Sequence, residues 1–195
     1  MDSIAAWTTH PVTAERFDDF ADVINPNRRD THCWCLSHRL QATQIDELGD
    51  GSRESAALAL ARSPGGFGVV TYRDEVPVGW CHTAPRAQIP RLVASKLIRP
   101  IDELPVWSII CVVVRSGHRR QGVTTHLIEG AVAYAAAHGA PGVETYPVDP
   151  TGRMDLTMAF VGTRSMFERC GFEVVGQTDA KASKMPRLVM RRMLD

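Results

Sequence analysis

Val112-Val113-Val114-Arg115-Ser116-Gly117-His118-Arg119-Arg120-Gln121-Gly122-Val123-Thr124-Thr125-His126-Leu127 changes character twice. The β-branched run is the end of a strand from Val106 to Val114, apolar enough to be buried on both faces. Gly117 and the cations after it read as a tight turn. Gly122 then opens a helix to His138, with Val123, Leu127, Ala131 and Tyr134 at helical spacing and Ile128, Val132 and Ala135 widening the stripe. The start of a helix leaves N–H groups unpaired and carries the positive end of its dipole, so a strand, turn and helix in this order make an anion site. Arg119 and Arg120 add charge, and Gly122 lets backbone approach a phosphate closely. Neither Gly-x-x-x-x-Gly-Lys-Ser/Thr nor Gly-x-Gly-x-x-Gly is present here, so the two familiar nucleotide loops are excluded.

Upstream, a proline-rich excursion from Pro85 to Pro105 reads as irregular and partly helical. Before it lies a hairpin, Phe67 to Tyr72, a turn through Arg73-Asp74-Glu75, and Val76 to Ala84. Earlier still are a helix from Ser52 to about Arg62 and, near the N-terminus, a strand from Ala5 to Thr9. Thr13 is placed to cap a helix carrying Phe17, Phe20, Ala21 and Ile24 on one face, stopped by Asn25-Pro26-Asn27. Downstream come a short strand from Val143 to Pro147, a helix near Thr163 to Cys170, and strands near Glu173 to Thr178 and Arg187 to Leu194. The order is β-α-α-β-β-β-α-β-α-β-β. It predicts one α/β or α+β domain over residues 1–195.

The chain has 195 residues, 44% hydrophobic and 23% charged, with a formal net charge of +0. That balance gives no electrostatic case for nucleic acid or an anionic membrane as partner. Val106 to Val114, the longest strongly apolar run, is too short to cross a bilayer, and the polar N-terminus interrupted by Pro11 lacks a signal-peptide core. Five cysteines, three within apolar stretches, point to a reduced, cytoplasmic chain and not to a disulfide framework. The excess of arginine over lysine, with abundant alanine, is a composition expected of a GC-rich bacterial genome.

The stretch Arg119-Arg120-Gln121-Gly122-Val123-Thr124 resembles motif A of the GNAT acetyltransferases, Arg/Gln-x-x-Gly-x-Gly/Ala, with Thr124 where the family usually has a smaller residue. Thr163-Arg164-Ser165-Met166-Phe167-Glu168-Arg169-Cys170-Gly171-Phe172 is similar to the family's C-terminal helix, which typically ends Tyr-Glu-Lys-x-Gly-Phe. Cys33-Trp34-Cys35, Val78-Gly79-Trp80-Cys81, Pro105-Val106-Trp107-Ser108 and Tyr146-Pro147-Val148-Asp149 resemble, more closely still, a GNAT subgroup with an N-terminal Cys-Trp-Cys segment. The resemblance implies a mostly antiparallel sheet with a splayed parallel strand pair flanked by helices. It also implies acetyl-CoA as cosubstrate; no metal is expected. The CoA pyrophosphate would lie on the backbone of Arg119, Arg120, Gln121, Gly122, Val123 and Thr124. The pantetheine arm would run along Val112, Val113 and Val114, with Val112 N–H polarising the thioester carbonyl. Thr163 and Phe167 complete the cofactor side.

The resemblance leaves the acid and base open. Phe167 stands where many family members carry a Tyr acid, and Ser108 where a carboxylate base is common; Ser108 is suited to anchoring a water. Glu144 and Tyr146 share a strand face by their period-two spacing, which offers Tyr146 as acid and Glu144 as base or amine-binding anion. His82, in the hairpin strand, titrates in the useful range. Each has a structural alternative: a core tyrosine, a solvated glutamate, a histidine satisfied by a neighbour. His32, Cys33, Cys35 and His38 offer four zinc ligands on paper, but Cys-x-Cys lacks the two-residue gap of common knuckles. Trp34, Trp80 and Trp107 are either aromatic walls for an acceptor or core plugs. No thiol stands in a recognisably electropositive setting, which disfavours an acyl-cysteine route. The expected activity is acetylation of a primary amine on a small molecule, in a ternary complex, by a chain able to form a homodimer. Protein or peptide acetylation and a non-catalytic acyl-CoA-binding module are the alternatives.

Overall fold

Two tight turns and one helical crossover set the strand order. A computed structural model describes residues 6–29, 33–47, 52–64, 67–150 and 156–195. Along the chain come β1 (Trp7–Pro11), a 3-10 turn (Ala14–Arg16) leading into α1 (Phe17–Ile24), a second 3-10 turn (Leu36–His38), α2 (Ala42–Asp46) and α3 (Arg53–Arg62). Then follow β2 (Val69–Arg73), β3 (Val76–Pro85), a 3-10 turn (Arg86–Gln88), α4 (Pro90–Val93), β4 (Trp107–Val114) and α5 (Val123–Ala137). Last are β5 (Gly142–Thr145), a 3-10 segment (Leu156–Val161), α6 (Arg164–Glu168), β6 (Glu173–Ala182) and β7 (Met185–Met193).

The strands form one sheet in the order β1-β2-β3-β4-β5-β7-β6. Asp74 and Glu75 join β2 to β3 with φ of 49° and 66°, and Ser183 and Lys184 join β6 to β7 with φ of 50° and 65°. Both pairs are the doubly left-handed turn whose twist matches flanking antiparallel strands. Parallel neighbours need a long crossover, and α5 supplies it between β4 and β5, the one parallel pair among the described strands. The expected mostly antiparallel sheet with a single parallel pair is therefore what forms.

Helices cover both faces. On one, Val69, Cys81, Trp107, Ile109 and Val112 pack under Leu127, Ile128 and Ala131 of α5 and Phe167 of α6. On the other, Val70, Trp80 and Cys111 meet Phe17 and Phe20 of α1, Ala57 and Ala61 of α3, and Trp34. Phe20 is fully buried and lies 5.1–5.2 Å from the rings of Phe67 and Trp80. Removing its ring would cost about 3–5 kcal/mol in transfer and cavity terms. The 85–105 excursion contributes Ile89, Leu92 and Ile98 to a third cluster over Ile110, Tyr146 and Val189.

Several boundaries differ from those read in the sequence. β1 runs to Pro11, which an edge strand tolerates because its missing N–H need not pair. Thr13 makes no side-chain cap: the chain enters α1 through a 3-10 turn closed by Arg16 N–H donating to Thr13 O at 3.1 Å, and Thr13 Oγ1 is left buried without a partner. α2 was not expected. Ser52 does cap α3, accepting from Ser55 N–H at 3.2 Å.

Candidate active site

β4 and β5 begin side by side and then part. Their pairing covers Trp107↔Val143, Ser108↔Glu144 and Ile109↔Thr145, and ends there. Two local features end it. On β4 the register against β3 slips, His82 pairing with Cys111 and Thr83 with Ile109, so that Ile110 is a bulge residue without a partner on β3. On β5 the chain continues into Tyr146-Pro147, where proline has no N–H to donate and the carbonyl accepts from Leu188 N–H of β7 instead. Beyond Ile109, no described strand pairs with the β5-facing edge of β4, which leaves Val112–Val114 with one open side.

The open edge runs directly into the turn before α5. Gly117 and Gly122 have φ of 87° and 83°, and Arg120 is also left-handed at 60°. Gln121 braces the turn, donating to Gly117 O at 3.1 Å while its Oε1 accepts from Arg73 at 2.7 Å. Gly79 on β3 lets the first turn of α5 come close: a Cβ there would lie 3.0 Å from Val123 and 3.1 Å from Leu127. Among the described residues, no acceptor meets the N–H groups of Arg119 through Thr124, and neither Arg119 nor Arg120 forms an ion pair. Unpaired donors and two arginines without ion pairs thus precede the positive end of a fifteen-residue helix, a combination suited to phosphate.

Three of the four catalytic candidates meet. Tyr146 donates its hydroxyl proton to Glu144 Oε2 at 3.0 Å, lies 3.2 Å from Ser108 Oγ, and accepts from Arg86 Nε at 3.2 Å. Arg191 donates to Glu144 Oε1 through Nε and Nη2, at 3.0 and 2.6 Å, and grips Asp102 of the excursion at 2.7 and 2.9 Å. Burial pushes the Tyr146 hydroxyl up to about 12, with the Glu144 charge acting in the same direction and Ser108 and Arg86 against it. The trio is thus a closed hydrogen-bond network in which Tyr146 keeps its hydroxyl proton.

His82 stands apart. It is fully buried, and its Nε2 accepts from Arg39 Nη1 at 2.9 Å. Burial, then the Arg39 charge, hold its pKa well below the usual histidine value, so the ring is neutral. The three tryptophans also lie in the core. Trp34 stacks on Phe17 at 5.6 Å, Trp80 meets Phe20 and Phe67, and Trp107 is edge-on to Tyr134 on the α5 face. Phe167 is fully buried against Phe172, and Thr163 precedes α6 with its hydroxyl 3.3 Å from Ser165.

The cysteine segment has a chemistry that the sequence did not show. Cys33 is partly exposed, and hydrogen bonding from the Cys35 thiol, with further help from Ser37 and His38, brings its thiol down to about 4. Cys35 is buried 3.8 Å from Cys111, so Cys111 packs as part of a thiol pair. His32 lies outside the described residues, and among the described residues no group of three His, Cys, Asp or Glu is arranged around a metal position.

Two cavities open on this side of the sheet. One, of about 430 Å³, is lined by Arg86, Asp102, Val106, Glu144 and Arg191 at the start of β4. The other, of about 420 Å³, rests on the bulge residue Ile110 and is walled by His38, Arg91, Phe160, Lys181 and Arg187. Burial lowers the His38 pKa, with Arg91 and Arg187 adding to the effect against the nearby Cys33. Sequence reading missed Arg91, Lys181 and Arg187 entirely, and took His38 only as a possible ligand. They come from α4, β6, β7 and the turn after α1, and no motif links them.

Residues 35–172 match the family model described as Acetyltransferase (GNAT) family. The chain belongs to this family. No curated protein matches it in sequence. Among solved structures it is similar to a GNAT-family acetyltransferase from Streptococcus agalactiae, at 10% identity and TM-score 0.57, covering 97% of this chain and 96% of that one. It is also similar to an aminoglycoside acetyltransferase in complex with coenzyme A, at 13% identity and TM-score 0.55, covering 96% and 95%. A third is the PaiA N-acetyltransferase of Thermoplasma acidophilum with coenzyme A, at 11% identity and TM-score 0.53, covering 97% and 99%. Identities this low speak for the GNAT fold. Family membership makes the chain an acetyl-CoA-dependent acetyltransferase. Among the described residues, no helix is long and apolar enough to cross a membrane.

Proposed function

We propose that this GNAT enzyme transfers the acetyl group of acetyl-CoA to the primary amine of a small molecule, both bound at once where β4 and β5 part. The observation that carries the reading is the position of the 420 Å³ cavity, which ends on the bulge residue Ile110, beside the open edge that leads to the unpaired N–H groups of α5. Its volume is in the range of small-molecule sites. The excursion and the Leu36–His38 turn wall it, where an extended peptide would need an open groove.

On this reading Arg119 to Thr124 hold the pyrophosphate through backbone N–H groups, with Arg119 and Arg120 adding charge, and Val112 to Val114 pair with the pantetheine amides as an added strand would. Acetyl-CoA supplies a thioester carbonyl. An N–C bond forms as the C–S bond breaks, the amine loses a proton and the departing sulfur gains one. His38 lines the cavity in its neutral form and is placed to take the amine proton. Ser108, Glu144 and Tyr146 form the proton-holding network behind the cavity and fix β5 against β4. No thiol lines the cavity, which favours direct transfer over an acyl-cysteine. The reading includes one domain over residues 1–195, a cytoplasmic setting for its free thiols, membership of the Cys33-Trp34-Cys35 subgroup, and a homodimer paired at the outer edge of β6, where Val174 and Val175 are exposed.

The test is free-thiol release from acetyl-CoA with a panel of primary amines and of peptides, with the acetylated product identified by mass. Turnover is expected with small amines, falling about a hundredfold in kcat for His38→Gln with acetyl-CoA affinity retained. Turnover confined to peptides, or none above hydrolysis by an enzyme that binds acetyl-CoA, would overturn the small-molecule reading.

A further inference from the structure

The cavity under the bulge is lopsided in charge. Arg91, Lys181 and Arg187 line it with His38, and among the described residues no Asp or Glu does. None of the three cations forms an ion pair among the described residues. Arg187 is the telling one, because it is half-buried: its Nε donates to Tyr146 O at 2.7 Å, and among the described residues the guanidinium has no carboxylate partner. Burial without a counter-charge pulls its pKa down to about 10, whereas Arg191, which holds Glu144 and Asp102, moves the other way. A cation drawn even partly out of water without a counter-charge is costly and is normally matched by an anion. The other cavity makes the contrast plain. There Glu144 and Asp102 are both held by Arg191, and its wall at Val106 lies four residues before Ile110, about 13 Å along the strand.

We propose that the acceptor carries an anionic group, a carboxylate or phosphate, beside its primary amine, and that Arg91, Lys181 and Arg187 hold that group in the cavity on Ile110. This rests on the acetyltransferase reading above and names the class of amine. The same field selects and activates. An amine with no anion is repelled as its ammonium form, and a polycation is repelled most. An amine tethered to a bound anion sits among positive charges, which lower its pKa and raise the fraction present as the neutral nucleophile. His38, kept neutral by its burial and by the same arginines, stands in the same wall to take the proton. Guanidinium forks at Arg91 and Arg187 suit the planar oxygens of a carboxylate and the tetrahedral ones of a phosphate alike, so the two are separated by measurement.

The experiment compares kcat/KM by thiol release for 4-aminobutyrate, 3-aminopropyl phosphate, n-butylamine and spermidine at fixed acetyl-CoA. At least one anionic amine is expected to exceed n-butylamine by about tenfold or more and spermidine by more still. The better anionic amine identifies carboxylate or phosphate. Arg187→Met, and the exposed pair Arg91→Ala/Lys181→Ala should Arg187→Met fail to fold, narrow the anionic-over-neutral ratio about tenfold through acceptor KM. Equal kcat/KM across the four amines, a preference for spermidine, or a ratio untouched by both variants overturns the proposal while turnover leaves the acetyltransferase reading standing. Should none of the four turn over, calorimetry of the CoA-loaded protein decides: heat from an anionic amine but not n-butylamine supports the proposal, and no heat from either anionic amine overturns it. Loss of acetyl-CoA binding itself would instead strike the underlying reading.

Discussion

His82 illustrates at the residue scale how little a residue type reveals without its surroundings. In the sequence it is a titratable group on a strand next to the motif; in the fold it is neutral, fully buried, and an acceptor for Arg39. An unfolded histidine takes up a proton near pH 6.5, whereas the folded His82 does so only far lower. Below 6.5 the unfolded state binds a proton that the folded state refuses, so stability is full above that pH and drains away as pH falls; His38, shifted in the same direction, adds to the trend. The urea midpoint is expected to drop between pH 7 and pH 5, as the unfolding free energy falls by up to about 1.4 kcal/mol per pH unit for each such histidine. His82→Gln, which keeps an acceptor for Arg39, should flatten that slope; an identical midpoint at pH 7 and pH 5 in the unaltered protein would contradict the account. Glu144 and Tyr146 were legible because strand periodicity puts them on one face, and Ser108 through the family resemblance, at the position where a carboxylate base is common. Arg91, Lys181 and Arg187 were not, since each is an isolated cation in its own segment and only tertiary folding turns them toward one cavity.

At the scale of elements, turn chemistry and hydrophobic period carried the reading. All seven strands and the helices α1, α3, α5 and α6 have counterparts in the pattern of apolar residues. α2 does not: it is short and starts at Gln41, whose N–H donates to Gln44 Oε1, with no Ser, Thr, Asp or Asn cap to signal it. The bulge at Ile110 was equally hidden, because an unbroken Val/Ile run gives no sign of a register slip settled by pairing with His82 and Thr83. Packing between α5 and β1 yields a prediction against helix propensity. Gly130→Ala would gain about 1 kcal/mol of propensity. Its new Cβ, however, would fall 2.4–2.6 Å from side-chain atoms of Thr9, which is held to Thr71 by a 2.8 Å hydrogen bond. Overpacking of that kind costs about 1–3 kcal/mol, so the variant should melt several degrees lower. A Tm equal to or above that of the unaltered protein would show that β1 yields to α5 at no cost.

On the scale of the whole molecule, a formal net charge of +0 conceals a marked separation of charge. Carboxylates are spent on internal pairs, Glu144 and Asp102 on Arg191 and Glu129 on Arg192, while free cations stand at the α5 turn and around the Ile110 cavity. Both cationic places flank the opening between β4 and β5; in the reading proposed above, one takes a pyrophosphate and the other an anionic acceptor. The central claim is that acetyl-CoA is held by the α5 turn, and the most direct measurement is calorimetric titration of acetyl-CoA into the unaltered protein and into Arg119→Ala/Gly122→Asp. That variant removes one free guanidinium and puts a carboxylate at a left-handed helix start (φ 83°). Saturable binding by the unaltered protein, weakened by about tenfold or more in a variant with an unchanged circular-dichroism spectrum, is the predicted result. A folded, unaltered protein that gives no heat of binding, or a variant that binds as tightly, would contradict it.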